Sequence, residues 1–195
     1  MTLPTFISAL RIALAFVIMV LLSMPESPAK VAALICFLVA SASDWLDGYL
    51  ARKLKQTSAL GALLDPIADK ILTLGIFVVY AYQALVPWWM VFVIATREIV
   101  ITAIRVVAAQ KKIILAASSE GKHKMVSQVV AILALLIFSI LHAWPAASPI
   151  PVVVLAWVQH LVALSLWVAV VLTVISGSFF FFRHRSVLLR LAALR

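Results

Sequence analysis

The residues in this sequence best suited to chemistry are four aspartates, Asp44, Asp47, Asp65 and Asp69, which lie within 26 residues and account for four of the seven acidic side chains. Asp44 and Asp47 are three residues apart, and Asp65 and Asp69 are four apart, so each pair shares one face of a predicted helix. A short connection favours antiparallel packing of two helices. We therefore expect the four carboxylates to converge, beside small residues on the same two faces, Gly48, Ala51 and Gly61.

Four converging carboxylates imply a bound cation. Like charges within reach of one another do not all stay ionised unaided, and an ionised group inside a membrane is costly. Oxygen ligands with no His or Cys nearby favour Mg²⁺, Mn²⁺ or Ca²⁺ over zinc. Two such ions can stabilise the attacking and leaving oxygens of a phosphoryl transfer. A cation or proton pathway in a transporter is the alternative, in which the glycines would serve helix packing.

The composition decides which elements must position these aspartates. The chain has 195 residues, of which 66% are hydrophobic and 12% charged, and its mean hydropathy is +1.18. These values exclude a water-soluble globule. Since a membrane-spanning helix needs about 20 apolar residues, we predict an all-α integral membrane protein with six transmembrane helices. The apolar segments are 6–24, 29–50, 61–84, 88–109, 125–144 and 152–182.

The predicted organisation is one catalytic domain over residues 1–182, followed by a basic tail over residues 183–195. The first segment could alternatively be a cleavable signal peptide, because Ser27-Pro28-Ala29 loosely resembles a cleavage site. The single cysteine, Cys36, excludes a disulfide within the chain. The tail alternates leucines with arginines, which suits a helix on an anionic lipid surface, although a solvated basic tail explains it equally well.

Sixteen cations against seven acids give a formal charge of +9, and their distribution predicts the orientation. By the positive-inside rule, the connections and the tail that carry most of the cations lie in the cytoplasm, together with both termini. No soluble nucleic-acid-binding module is recognisable, so we expect no nucleic-acid partner. These segments hold Arg52, Lys53, Lys55, Lys111, Lys112, Lys122, Lys124, Arg183, Arg185, Arg190 and Arg195.

The aspartates also belong to a longer pattern, D-x2-D-G-x2-A-R-x8-G-x3-D-x3-D, which is complete from Asp44 to Asp69. It resembles the signature of the CDP-alcohol phosphatidyltransferases, a family of integral-membrane enzymes. The resemblance implies six membrane helices, a homodimer and two divalent metal ions, Mg²⁺ or Mn²⁺, held by the four aspartates. It further implies that Asp69 is the general base, and that CDP-diacylglycerol contacts Asp44, Gly48, Ala51, Arg52 and Gly61.

The acceptor alcohol must be identified from other residues. Arg97 and Arg105 lie within a predicted span, and Lys122 and Lys124 precede the next one. Guanidinium and ammonium groups bind phosphate oxygens, so these four residues predict a pocket for an anionic acceptor. The alternative is structural, with Glu98 paired to Arg105 and Arg97 extending towards the membrane surface.

The segments 96–105 and 121–124 are similar to those of bacterial family members that use sn-glycerol 3-phosphate. The similarity implies transfer of a phosphatidyl group to that acceptor at the bacterial inner (cytoplasmic) membrane. Cardiolipin synthesis and phosphatidylinositol-phosphate synthesis are the alternatives within the family, and transport is the alternative outside it.

Overall fold

The structure, a computed structural model, describes residues 3–54, 59–111, 113, 119–144 and 150–193. Within these ranges the secondary structure consists of six α-helices and connecting turns. The helices are α1 (Leu3–Ser23), α2 (Ser27–Leu54), α3 (Ala59–Tyr82), α4 (Trp88–Gln110), α5 (Ser119–His142) and α6 (Val152–Ala193). The all-helical prediction is therefore confirmed.

Each predicted apolar segment coincides with one helix, and the differences lie at polar ends. Helix α2 continues to Leu54 and α5 begins at Ser119, although the hydropathy pattern places these boundaries at 50 and 125. Helix α6 likewise continues through the basic segment to Ala193 as a single helix of 42 residues. A hydropathy pattern ends where polar residues begin, whereas backbone hydrogen bonds extend the helix into them.

Prolines start two of the helices, as their positions predict. Pro87 is the N-cap residue of α4, and the carbonyl of Pro151 accepts hydrogen bonds from the first turn of α6. Pro66 differs, because it lies inside α3, where its nitrogen cannot donate to the carbonyl four residues earlier. It is one residue beyond Asp65, so the local interruption of the hydrogen-bond ladder falls within the aspartate segment.

Helix α3 ends in a Schellman motif. The backbone N–H of Leu85 donates to the Tyr80 carbonyl over 2.9 Å, and the N–H of Ala84 donates to the Ala81 carbonyl over 3.0 Å. Ala84 has a φ of 59°, which is the left-handed conformation that this motif requires and that glycine usually supplies. The turn therefore holds an alanine in an unfavourable conformation.

Helix α1 is central to one half of the bundle, because it packs against both α2 and α3. In the other half α6 packs against α5 and α4, while α2 and α3 contact α5. One core of buried apolar side chains joins the two halves, including Ile18 of α1, Phe37 of α2, Phe77 of α3 and Leu135 of α5. Helices α3, α4, α5 and α6 are thereby held close enough to build a shared site.

The carboxyl end of α1 is capped by side chains from two other elements. The ammonium group of Lys30 donates to the Leu22 carbonyl over 2.9 Å, and the Gln83 amide donates to the same oxygen over 2.7 Å. A cation at a helix carboxyl end also interacts favourably with the helix dipole. This contact gives Lys30 a structural role at the end of α1.

Among the described residues, two helical segments are long and apolar enough to cross a membrane by length and composition, His123–His142 and Val152–Arg185. Ser8–Ser23 and Ser27–Ser43 are shorter apolar helices. Helix α4 carries three charged residues, Arg97, Glu98 and Arg105, which lower its hydropathy. Many large apolar side chains, such as Phe92 and Trp157, point outward, as expected of a protein surrounded by lipid.

Candidate active site

The four aspartates of the predicted metal site lie on two helices. Asp44 and Asp47 are in α2, and Asp65 and Asp69 are in α3. Because both segments are helical, the spacing of each pair places its two positions on one face. Their convergence stays a prediction, since the described side chains include only that of Asp69. Also outside the described side chains are Gly48, Ala51, Arg52 and Gly61.

Asp69 is half-buried on α3, and its carboxylate is close enough to the Lys124 ammonium group to attract it. Its backbone carbonyl accepts a hydrogen bond of 2.9 Å from the Thr73 hydroxyl. The described side chains contain no group of three or more His, Cys, Asp or Glu that could hold a metal. The four aspartates nevertheless supply only oxygen donors, on two helices that share α1 as a neighbour, and this donor set fits Mg²⁺ or Mn²⁺.

Beside Asp69, three cationic side chains surround Glu98. The Lys124 ammonium group of α5 and the Arg97 guanidinium group of α4 both donate to Oε1 of Glu98, the latter over 3.1 Å. The Lys70 nitrogen of α3 lies 3.9 Å from Oε2. Glu98 is only 6% exposed, so water does little to screen these interactions. The cluster ties together three helices and carries a net positive charge.

Arg97 has a second partner on α6. Its other terminal nitrogen donates to the Ser176 hydroxyl over 2.6 Å. The next residue, Gly177, lets the two helices approach closely, because a Cβ atom there would lie 3.3 Å from Cγ of Arg97. The guanidinium group is thus fixed from both sides, by Glu98 on its own helix and by Ser176 across the interface.

A cavity of about 430 Å³ opens beside Arg97 between α4 and α6. Thr96, Thr173 and Ser178 contribute polar atoms to its lining, and the remaining wall is mostly apolar. The hydroxyl group of Thr173 also accepts a hydrogen bond from the buried Gln128 amide of α5. The arginine therefore borders a space that combines a charged edge with apolar walls.

The predicted acceptor residues fall into three groups. Arg97 and Lys124 are brought together around Glu98, as described above. Arg105 is exposed and lies over the Phe180 ring of α6, with 5.6 Å between its guanidinium carbon and the ring centroid. The Lys122 side chain lies outside the described ones. The alternative pairing of Glu98 with Arg105 is wrong, since the ion-pair partners of Glu98 are Lys124, Arg97 and Lys70.

Three residues of this site, Lys70, Ser176 and Gly177, were not among the predicted site residues, and Glu98 was considered only as a partner of Arg105. Lys70 follows Asp69 directly, and Glu98 follows Arg97, so proximity in sequence could have drawn attention to both. Ser176 and Gly177 lie in the final apolar segment, 152–182. Their small side chains within a run of large apolar residues were the available signal, but only the fold identifies Arg97 as their neighbour.

Comparison with known proteins agrees with the signature. The model of the CDP-alcohol phosphatidyltransferase family matches residues 1–175. A protein of Bacillus subtilis (strain 168) is 36% identical over 197 residues, covering 93% of this chain and 94% of its own length. One from Shigella flexneri serotype 5b is 34% identical over 175 residues, covering 87% of each chain. One from Escherichia coli K12 is 37% identical over 134 residues, covering 66% and 73%. All three are named CDP-diacylglycerol–glycerol-3-phosphate 3-phosphatidyltransferase.

Proposed function

We propose that this chain, which belongs to the CDP-alcohol phosphatidyltransferase family, transfers the phosphatidyl group of CDP-diacylglycerol to sn-glycerol 3-phosphate. The products are phosphatidylglycerophosphate and CMP. The observation that carries the proposal is the cation cluster beside Asp69, in which the buried Lys124 and the half-buried Arg97 and Lys70 surround the buried Glu98. A neutral alcohol acceptor gives no reason to gather three cations at one place between the helices, whereas an acceptor with its own phosphate group does. The names of the relatives support the same acceptor.

Asp44, Asp47, Asp65 and Asp69 would hold two divalent ions, Mg²⁺ or Mn²⁺. When bound, these ions neutralise the pyrophosphate of the donor and stabilise the charge that develops on CMP as it leaves. Two observations support this assignment: the four aspartates offer only oxygen donors, and each pair lies on one face of α2 or α3. The donor's CDP group would be bound by Asp44 and four neighbouring signature positions: Gly48, Ala51, Arg52 and Gly61.

The reaction then needs a base and an oriented acceptor. Asp69 accepts the proton of the 1-hydroxyl group of glycerol 3-phosphate, and that oxygen attacks the β-phosphorus of the donor. A new P–O bond forms as the bond between the β-phosphorus and the bridging oxygen breaks, and CMP leaves with the electron pair. Arg97 and Lys124 bind the acceptor's phosphate together with Arg105 and Lys122. Positioning and charge stabilisation of this kind supply most of the rate in phosphoryl transfer.

For the membrane arrangement we propose six transmembrane helices forming a single catalytic domain over 1–182, in the bacterial inner membrane. Both termini and the active site would face the cytoplasm, where both CDP compounds and glycerol 3-phosphate occur. The cation distribution supports this orientation. The basic segment 183–195 would contact anionic lipids, and the working unit would be a homodimer, as the family resemblance implies.

Acceptor-dependent release of CMP tests the proposal. The purified chain is supplied with CDP-diacylglycerol, Mg²⁺ or Mn²⁺, and one acceptor at a time: glycerol 3-phosphate, phosphatidylglycerol or inositol phosphate. We expect CMP release with glycerol 3-phosphate alone, and none after chelation of the metal. Release only with phosphatidylglycerol or inositol phosphate would instead assign one of the other family reactions. Ion flux in proteoliposomes without CMP release would assign a transporter.

A further inference from the structure

We infer that Glu98 is a positioning residue for the acceptor pocket, an inference that rests on the proposed function. Glu98 holds Arg97, Lys124 and Lys70 in the places from which they meet the acceptor's phosphate. The geometry points to this role because one buried carboxylate is the shared partner of three cations that come from three helices. It does not touch the reacting atoms, so it acts through the residues that it orients.

The two carboxylate oxygens of Glu98 contact different cations. Oε1 accepts from both Lys124 and Arg97, which joins α5 to α4, and Oε2 faces Lys70, which joins α3 to α4. Long cationic side chains lose much rotamer freedom when they are fixed. A carboxylate that fixes them before the substrate arrives removes that cost from the binding step, which is the general advantage of preorganisation.

The charge of the cluster matches one class of acceptor. Three cations and one carboxylate give a formal net charge of +2. A phosphate monoester carries a charge of about −2 at neutral pH, whereas a phosphodiester such as a phospholipid headgroup carries one negative charge per phosphate. The cluster itself, counted without the neighbouring Asp69, Arg105 and Lys122, therefore attracts the doubly charged monoester of glycerol 3-phosphate more strongly than a singly charged diester.

Donor groups also remain for the substrate after Glu98 has been satisfied. An ammonium group has three N–H donors and a guanidinium group has five. Of these, Lys124 uses one on Glu98, and Arg97 uses one on Glu98 and one on Ser176. Glu98 consequently orients the cations without occupying their full capacity to bind an anion.

The test compares Glu98→Gln with Glu98→Asp in the purified full chain. Glutamine keeps the size of the side chain but loses its charge, so Lys124 and Arg97 lose their common ionic partner. We expect the KM for glycerol 3-phosphate to rise by about tenfold to a hundredfold, as misplaced binding groups typically cause. The KM for CDP-diacylglycerol should stay within about twofold. Glu98→Asp keeps the charge on a shorter side chain and should give an intermediate KM for glycerol 3-phosphate.

Inhibition by inorganic phosphate separates positioning from a general loss of the pocket. Phosphate makes smaller positional demands than the acceptor, and Glu98→Gln raises the positive charge of the cluster. Phosphate should therefore inhibit Glu98→Gln at least as strongly as it inhibits the wild type. Weaker inhibition in parallel with weaker acceptor binding would show that the pocket has collapsed and would overturn the inference.

Two control substitutions complete the experiment. Glu26→Gln removes the charge of an exposed acid in the α1–α2 connection, and it should leave both KM values unchanged. Ser176→Ala removes the other partner of Arg97 and should raise only the KM for glycerol 3-phosphate, whereas Ser165→Ala, on the same helix, should not.

The outcomes distinguish the two proposals. If wild-type protein releases no CMP with glycerol 3-phosphate, the proposed function fails. If the wild-type protein releases CMP, and Glu98→Gln or Glu98→Asp keeps a wild-type KM for glycerol 3-phosphate, only the inference about Glu98 fails. Should Glu98→Gln not fold, Glu98→Asp still carries the test, because its predicted KM change depends on how the carboxylate places Arg97 and Lys124.

Discussion

The contact between Gly177 and Arg97 predicts a substitution that weakens acceptor binding without loss of stability. In Gly177→Ala the new methyl group would lie 3.3 Å from Cγ of Arg97, so the arginine must move by a few tenths of an ångström. Its terminal nitrogens are held by Glu98 at 3.1 Å and by Ser176 at 2.6 Å, and both hydrogen bonds must adjust. The helix itself gains, because alanine in a helix interior is about 0.5–1 kcal/mol more favourable than glycine.

The expected magnitude follows from these bonds. A hydrogen bond to a charged group contributes about 1.5–3 kcal/mol. A distortion that removes about half of this contribution from one such bond costs about 1 kcal/mol. Since about 1.4 kcal/mol corresponds to a tenfold change, the KM for glycerol 3-phosphate should rise by about fivefold. The melting temperature in detergent should stay near the wild-type value, because the gain in helix propensity offsets most of this cost.

The assay is CMP release at varied acceptor concentration, with Gly75→Ala as the matched control. A Cβ at Gly75 would lie 2.7 Å from Sδ of Met19, in the packing of α3 against α1. Gly75→Ala should therefore lower the melting temperature and leave the KM for glycerol 3-phosphate unchanged. An unchanged KM in Gly177→Ala, or a KM change that merely follows a loss of stability, would refute the reasoning.

Three further predictions concern other positions. Lys30→Met removes the charged donor to the Leu22 carbonyl but leaves the Gln83 amide as a donor. The free energy of unfolding should therefore fall by about 1.5 kcal/mol. An unchanged free energy in chemical denaturation would contradict the role of Lys30 as a cap. Ala84→Gly replaces an alanine that is in the left-handed conformation, so the free energy of unfolding should rise by about 1 kcal/mol. Chemical denaturation measures this change, and destabilisation would contradict the assigned turn. Arg105→Ala should raise the KM for glycerol 3-phosphate by about tenfold and leave that for CDP-diacylglycerol unchanged; equal changes in both would remove Arg105 from the acceptor pocket.

Much of the fold could be predicted from the sequence because its main signals are local. Apolar runs indicated six helices, and the structure has one helix at each of them. The helix ends were harder to predict, since hydrogen bonding carries α6 to Ala193 beyond its apolar segment. The predicted segment 61–84 already contained Pro66, and α3 continues through it.

The candidate site was less predictable because its contacts join distant segments. Helical spacing placed Glu98 and Arg105 on one face, and this suggested an ion pair between them as the alternative to an acceptor pocket. In the structure Lys124, 26 residues away in sequence, is a partner of Glu98 instead. Arg97 and Ser176 are 79 residues apart, and nothing in the local pattern of α6 identifies that contact. Spacing predicts which residues share a face, whereas neighbouring helices determine their partners.

A competition between two acceptors tests the central claim most directly. The purified chain in vesicles of a neutral lipid receives CDP-diacylglycerol, metal, and equal amounts of glycerol 3-phosphate and phosphatidylglycerol, and the lipid products are identified by mass spectrometry. The cation cluster around Glu98 predicts that phosphatidylglycerophosphate predominates, with one CMP released for each molecule formed. Cardiolipin as the main product would contradict the account, because a diester acceptor would then be preferred at a cluster suited to a monoester.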